Sequence, residues 1–178
     1  MGDPRKMRKK FSTPDHPWRK ERIDLEKELL NQYGLRRKYE VWKMNSMLQQ
    51  FLNRAKTIIG QRSSQSEMEK SQLLTRLYLL GLLKKDARVE DVLNLTLKDV
   101  LERRLQTLVV RKNMAKTMRQ ARQFITHNFV VVSNRKITTP SYIVSVEEEP
   151  SIKLVREIVS NPEAAPAEKK AQQQSQPN

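Results

Sequence analysis

From residue 102 to residue 136 the chain carries Arg103, Arg104, Arg111, Lys112, Lys116, Arg119, Arg122, Arg135 and Lys136 against a single acid, Glu102. Opposite charges one helical turn apart are mildly stabilising, so ordinary solvated helix faces mix both signs. A stretch that avoids the mixture answers to a polyanion. Arginine forks match phosphate oxygens with paired hydrogen bonds, and each phosphate neutralised releases counterions, which makes such binding steeply salt-dependent. Gln123, His127 and Asn134 add groups that hydrogen-bond sugars or base edges, although charge alone does not separate RNA from DNA. For His127, a solvated histidine at a helix end accounts for the residue equally well.

Two helices and a hairpin must position these side chains. Thr117 with Gln120 forms a capping box, after which Met118, Ala121, Phe124 and Ile125 take the inner face while Arg119, Arg122, Gln123 and Thr126 take the other. In the preceding helix Leu101, Leu105 and Leu108 point inward, which turns Arg103 and Gln106 outward. Ala115 and Ala121 are small enough for the two helices to approach closely. The stretch FVVVSNRKITTPSYIVSV is rich in β-branched and aromatic residues, with SNRK as its turn and Pro140 at an edge or bend; it predicts three to five short antiparallel strands over 129–147. The expected product is one single-signed face on a compact unit, with Arg135 and Lys136 at its rim.

The rest of the chain is an arm, a helical region and a tail. Residues 1–22 hold Arg5, Lys6, Arg8, Lys9, Lys10, Arg19, Lys20 and Arg22 against Asp3, Asp15 and Glu21, with Pro4, Pro14 and Pro17 breaking regular structure. A solvated tail or a localisation signal has this composition, but Phe11 and Trp18 among the charges favour an extended arm lying on nucleic acid. Trp18, Arg22, Leu25, Leu29 and Tyr33 then recur at helical spacing up to Gly34, and Val41, Leu48, Phe51, Leu52, Ala55, Ile58 and Ile59 form the stripe of a longer helix ending at Gly60. Ser66 with Glu69 reads as the cap of a leucine-rich helix, Val89, Val92 and Leu93 mark a short one, and Thr96 with Asp99 caps another. Residues 18–112 are thus expected to be almost purely helical. SIKLVREIVS suits an amphipathic turn or two, and NPEAAPAEKKAQQQSQPN has nothing to bury, which predicts disorder.

Composition limits the function classes. The 178 residues carry a net charge of +15, which repels itself unless a polyanionic nucleic acid or an anionic membrane neutralises it. No stretch approaches the roughly 20 apolar residues of a membrane span, since LLTRLYLLGLL is short and contains Arg76. MGDPRKMRKK has neither a signal-peptide core nor a myristoylation pattern, which points to the cytoplasm. Cysteine is absent, excluding disulfides and thiolate zinc sites; His16 and His127 stand far apart; the four glycines never cluster into a phosphate-cradling loop. No nucleophile has a base beside it. An enzyme, a cofactor, a metal and a small-molecule substrate are therefore not expected.

LERRLQTLVVRKNMAKTMRQARQFITHNFVVVSNRKITTPSYIV resembles the RNA-binding domain named for the fourth protein of the small ribosomal subunit, in ERRL, the helix with QARQ, the following His, the strand and turn, and the triplet Pro140, Ser141, Tyr142. MGDPRKMRKKF, HPW.KER and YGLRRKYEVWK resemble the archaeal form of that ribosomal protein family, extending the likeness over roughly residues 2 to 148. Tyrosyl-transfer-RNA synthetases, pseudouridine synthases and a small heat-shock protein carry the domain without this N-terminus. The resemblance implies a primary binder of small-subunit ribosomal RNA at a multi-helix junction of its 5-prime domain. It also implies a role in nucleating assembly, an influence on translational accuracy, and contact with neighbouring proteins, chiefly the fifth, near the messenger entry channel. Ser141 joins the contact residues on this ground. Asn113 and SNRK stand where the family often has Gly and Asn-Gly, and Asn tolerates the left-handed backbone these places require. The zinc held by N-terminal cysteines in some bacterial members does not carry over.

The expected fold class is α+β: a mainly helical N-terminal region plus a compact unit of two packed helices with a small curled antiparallel sheet. The segments are an arm at 1–22, a helical region at 23–100, the RNA-binding unit at 101–148, an amphipathic segment at 149–160 and a tail at 161–178. Two rivals are an RNA-modification enzyme using the unit as a handle, for which no catalytic frame remains, and a free RNA-binding regulator.

Overall fold

The computed structural model describes residues 9, 11–61 and 63–155. Arg5, Lys6, Arg8 and Lys10 of the basic arm, and the tail expected at 161–178, lie outside the described residues. The order is α1 (Lys20–Gln32), α2 (Lys38–Gly60), α3 (Ser64–Leu79), α4 (Val89–Val92), α5 (Leu97–Glu102), α6 (Leu105–Arg111), α7 (Met118–Thr126), β1 (Val130–Val132), β2 (Arg135–Lys136), a 3-10 turn at Glu149–Ser151 and β3 (Lys153–Leu154). The mainly helical α+β class with a small antiparallel sheet is observed.

The long α2 serves two cores. Its first half packs Val41, Met44 and Leu48 with Tyr33, Leu35, Val100 and Leu101; its second half packs Phe51, Ala55 and Ile58 with Leu73, Leu77, Val89 and Val92. A third core fills the C-terminal unit with Leu105, Leu108, Val109, Phe124, Ile125, Val130, Val132 and Val144, and Ala115 and Ala121 are buried there as their small size predicts. Burial of this much aliphatic surface is the main stabilising term, at about 25 cal/mol per Å² removed from water.

Four sequence expectations are corrected. The helical run through 112 breaks at Arg103 and Arg104, where the returning chain hydrogen-bonds to the opened backbone: Leu105 N–H donates to Tyr142 O at 2.8 Å and Val144 N–H to Arg103 O at 3.1 Å. Groups that an unbroken helix would have paired are thereby satisfied. The sheet has three strands in the order β2-β1-β3, and the third lies beyond 147: Val130 pairs with Leu154 and Val131 with Lys153, so the described part of SIKLVREIVS forms a strand rather than an amphipathic turn. α3 is capped by Ser63 and Ser66, each accepting from the other's backbone N–H, rather than by Ser66 and Glu69. Finally, Trp18 is 88% exposed and Leu25 62% exposed. Leu29 and Tyr33 of that stripe do pack inward, joined by Leu30, and toward its start α1 is held by an Arg22–Glu26 ion pair, with Trp42 Nε1 donating to Glu26 Oε1 at 2.8 Å.

Other local signals hold. Thr96 caps α5 with Asp99 accepting from its backbone N–H, and Thr117 Oγ1 accepts from Gln120 N–H at 3.2 Å, although the Gln120 amide oxygen reaches Lys116 N–H rather than closing the box on Thr117. Asn113 takes φ +57°, and Ser133 and Asn134 take +46° and +64° in a two-residue turn that sets Val132 opposite Arg135. Two consecutive left-handed residues are the geometry that matches strand twist in a tight hairpin.

Candidate nucleic-acid interface

The cations of residues 103–136 divide into two populations. Arg119, on the outer face of α7, and Lys136, on β2, are exposed, and their side chains pair with nothing among the described residues. Lys116, Gln123, His127, Asn134 and Arg135 are also exposed. The His127 ring lies over Phe129, with centroids 6.3 Å apart and planes 28° apart. Thr117 is exposed as the α7 cap and Ser141 is partly buried in the bend after Pro140. In the arm, Lys9 and Lys20 are exposed, and Arg19 pairs with Glu21 at 3.0 Å in the open. Helix α7 and the hairpin therefore supply solvent-facing cations, and Lys9 and Arg19 of the expected arm, with Lys20 at the start of α1, are exposed among the described residues, whereas Arg22 is drawn into its pair with Glu26.

The expectation of one single-signed face does not hold, because the other cations find partners within the chain: Glu40 and Glu149 from outside the run, Glu102 within it, and backbone carbonyls. Arg103 turns inward rather than outward: its guanidinium donates to Glu149 Oε2 at 2.7 Å and to Val144 O at 3.1 Å. Lys112 donates to the Glu149 carbonyl, and Arg111, still half exposed, pairs with Glu102. Arg104 is only 1% exposed, and its Nη2 donates to Glu40 Oε2 at 2.9 Å. Arg122 is 26% exposed at the side chain rather than fully outward; its Nη2 donates to Glu40 Oε1 at 3.1 Å and its Nη1 to Glu40 Oε2 at 3.3 Å. As expected RNA contacts, Arg103 and Arg104 are thus corrected: Arg104 is sealed inside on the buried Glu40 carboxylate, and Arg103, largely buried, is taken up by Glu149 and the Val144 carbonyl.

Glu40 organises this arrangement. It sits on α2 and accepts from two arginines of the C-terminal unit, so it joins the two regions. Burial raises its pKa, but the hydrogen bonds from Arg122 and Arg104 outweigh that and leave its carboxyl below the ordinary range. Burial lowers the Arg104 pKa against the opposing pull of Glu40. Gln106, expected to point outward, is also at the junction: its Nε2 donates to Gly34 O at 3.2 Å and Met118 O at 2.9 Å. Gly34, at φ +57°, lets the α1–α2 turn come so near α7 that a Cβ on it would lie 2.6 Å from Met118 Cβ.

Sequence reasoning passed over Glu40 and set Gln106 on the outer face, although a signal for both was present. Glu40 stands four residues before Met44 on the apolar stripe of α2, and Gln106 falls three before Val109 on the buried side of α6. A polar residue at a core position is hydrogen-bonded in almost every case, so each announces a partner. Among the described residues no group of His, Asp or Glu is placed to hold a metal ion, and no helix is long and apolar enough to cross a membrane.

Residues 103–150 match the family model described as the S4 domain. The chain is 48% identical over 150 residues to the small ribosomal subunit protein uS4 of Saccharolobus solfataricus, covering 84% of this chain and 83% of that protein. It is 45% identical to uS4 of Ignicoccus hospitalis, covering 97% and 100%, and 51% identical to uS4 of Methanococcus aeolicus, covering 85% and 86%. With identity at this level running through both the helical region and the C-terminal unit, the chain belongs to the small ribosomal subunit protein uS4 family.

Proposed function

We propose that this protein is a structural constituent of the small ribosomal subunit, acting in the cytoplasm, that binds small-subunit ribosomal RNA and catalyses no reaction. The observation that carries the reading is the exposed, acid-free outer face of α7, with Arg119 and Gln123, continued by Asn134, Arg135 and Lys136 on the hairpin. Family membership supports the subunit as the setting. In the finer form of the proposal, the domain and the basic arm bridge phosphates of several RNA helices at a junction in the 5-prime domain. Offsetting their mutual repulsion lets the junction settle early in assembly. Contact with the fifth small-subunit protein and an influence on decoding accuracy belong to the same proposal and rest on the family resemblance.

Arg119→Ala combined with Lys136→Ala tests it, since neither side chain supports the fold. Filter binding to a small-subunit RNA transcript across a salt series is expected to show weaker binding and a log–log slope shallower by about 1.5, the sum of two phosphate contacts. Unchanged affinity at near-physiological salt refutes the reading. Sedimentation separates the remaining rival: a subunit constituent travels with the small subunit in a sucrose gradient, whereas a free regulator stays at the top.

A further inference from the structure

A groove of about 610 Å³ lies between the end of the arm and the first two helices, walled by residues 12–15, by Leu25 and Leu29 of α1 and by Val41 and Trp42 of α2. We infer that this groove is a docking site for a lysine-bearing apolar segment of a second protein, with Glu26 receiving the lysine ammonium. The inference goes beyond the RNA reading and does not depend on it, because the groove has the wrong charge for a phosphate.

The sign of the lining sets the ligand class. Asp15 and Glu26 line the groove with Arg22 as the cation beside them, and Arg22 is spent: its Nη1 donates to Glu26 Oε1, and its Nη2 to the carbonyls of His16 and Pro17 at 3.2 and 2.8 Å. In the grooves beside α7, at the hairpin and along α3, bases equal or outnumber acids. On a chain of net charge +15, a groove lined mainly by acids calls for a cationic partner.

Glu26 supplies the specific signal. It is only 5% exposed, Trp42 Nε1 shares its Oε1 with Arg22, and its Oε2 accepts no hydrogen bond among the described residues. Lys38 Nζ stands 4.0 Å from Oε2, beyond hydrogen-bond distance, at the end of a side chain that reaches into solvent. Buried polar atoms are almost always paired, so an open carboxylate oxygen marks a donor still to come. One free oxygen suits the point charge of an ammonium, whereas the two parallel bonds of a guanidinium fork would need Oε1 as well. The leucine, valine and tryptophan walls take the methylene stem. Asp15 adds an exposed carboxylate that pairs with no cation among the described residues.

The groove is formed before any partner arrives. At one end Ser12 N–H donates to Ser46 Oγ at 3.1 Å, and the Phe11 ring lies 6.3 Å from those of Tyr39 and Trp42; at the other, Arg22 holds the His16 and Pro17 carbonyls. Residues 12–15 are thereby tethered on both sides, which lowers the ordering cost of binding. Leu25 in the wall is 62% exposed, and Trp18, next to the tethered Pro17, is 88% exposed. This open apolar surface extends the footprint past a single side chain, which favours a peptide over a free alkylamine.

The experiment follows the indole N–H signals of Trp42 and Trp18, the two tryptophans of the chain, by NMR on the full-length protein while the peptide Ala-Leu-Lys-Leu-Ala is added. The Trp42 signal is expected to shift saturably. Norleucine in place of the lysine keeps the stem and removes the charge, and should raise the dissociation constant by about tenfold, as loss of a charged hydrogen bond does. Arginine in that place should bind more weakly than lysine. Glu26→Gln should abolish the preference for lysine over norleucine. Leu25→Ser, an exposed change outside the three cores, should weaken both peptides alike at an unchanged melting temperature. Both variants should bind the small-subunit RNA transcript as the wild type does, so the two proposals stand or fall separately. An unmoved Trp42 signal would mean that water alone completes Glu26, and equal affinity for the lysine and norleucine peptides that the groove is merely apolar; either overturns the inference. Butylammonium binding as tightly as the peptide would assign the groove to a free amine, and tighter peptide binding by Lys6→Ala would assign it to the chain's own arm; both overturn it as well.

Discussion

Arg104 and Arg119 lie in one run of sequence and carry the same guanidinium, yet they occupy opposite environments. Arg104 is sealed in the interior on Glu40, whereas Arg119 stands open on α7 with no partner among the described residues. The difference comes from neither neighbour in the chain but from α2, which inserts one carboxylate between the regions and stops short of the outer face of α7. Local charge counts therefore overstate a ligand surface wherever a distant helix returns an acid to it. A cation's role is decided by what the fold brings opposite it.

The sharpest way to break this comparison is to remove the shared acid. Glu40→Ala leaves the Arg104 charge buried without a counter-charge, a loss worth about 3–5 kcal/mol in comparable buried pairs. Urea denaturation reads it as a fall in midpoint at unchanged slope. If the pair serves only to neutralise itself, Glu40→Leu with Arg104→Met should recover most of that loss, since apolar replacement of a whole buried pair is often neutral or better. Arg119→Ala, by contrast, should stay within about 0.5 kcal/mol of wild type, as surface changes do. Equal destabilisation by Glu40→Ala and Arg119→Ala would erase the distinction between interior and rim.

Much of the fold was legible because it follows short-range rules. The α5 cap, the small residues between α6 and α7, and the left-handed Asn113 and Asn134 are each set by a few adjacent residues. What was not legible depends on pairing across long stretches of chain. Glu40 meets Arg122 across 82 residues and Arg103 meets Glu149 across 46, and β3 pairs with β1 from beyond the stretch whose composition suggested strands. The break at Arg103 and Arg104 leaves no mark in the sequence for a related reason: the leucine spacing is continuous through it, and only the returning backbone of Tyr142 to Val144 makes the interruption favourable.

A smaller effect tests whether the junction depends on close approach as well as on charge. Gly34→Ala must hold a Cβ at positive φ and push it against Met118. Strain of this kind costs about 1–3 kcal/mol, and it falls on the contact that Gln106 bridges to Gly34 and Met118. Hydrogen exchange should show faster opening of the α1–α2 turn and of the first turn of α7 than of β1. Uniform acceleration throughout would mean that the junction is not a separate unit of stability.

The smallest effect is acid dependence, and it places the titrating side of the comparison in the interior. The folded pKa of Glu40 lies below its ordinary value of 4.5 despite burial, because Arg122 and Arg104 donate to the ionised form. A depressed folded pKa means that the stabilising contribution is complete above the unfolded value and is lost as pH falls through the folded one. Stability should accordingly decline from about pH 4.5 downward. Glu148 adds to the same limb: burial raises its pKa, but the Ser145 N–H and the Tyr142 hydroxyl outweigh that and hold it below the usual range. Glu40→Gln should flatten part of the acid limb, leaving the share belonging to Glu148, while Lys136→Ala should leave the limb unchanged because no acid pairs with that side chain among the described residues. Urea midpoints measured through the acid range decide it. Superimposable limbs for wild type and Glu40→Gln would show that the Glu40 carboxylate is not preferentially stabilised in the folded state, and the junction would then have to be explained by packing alone.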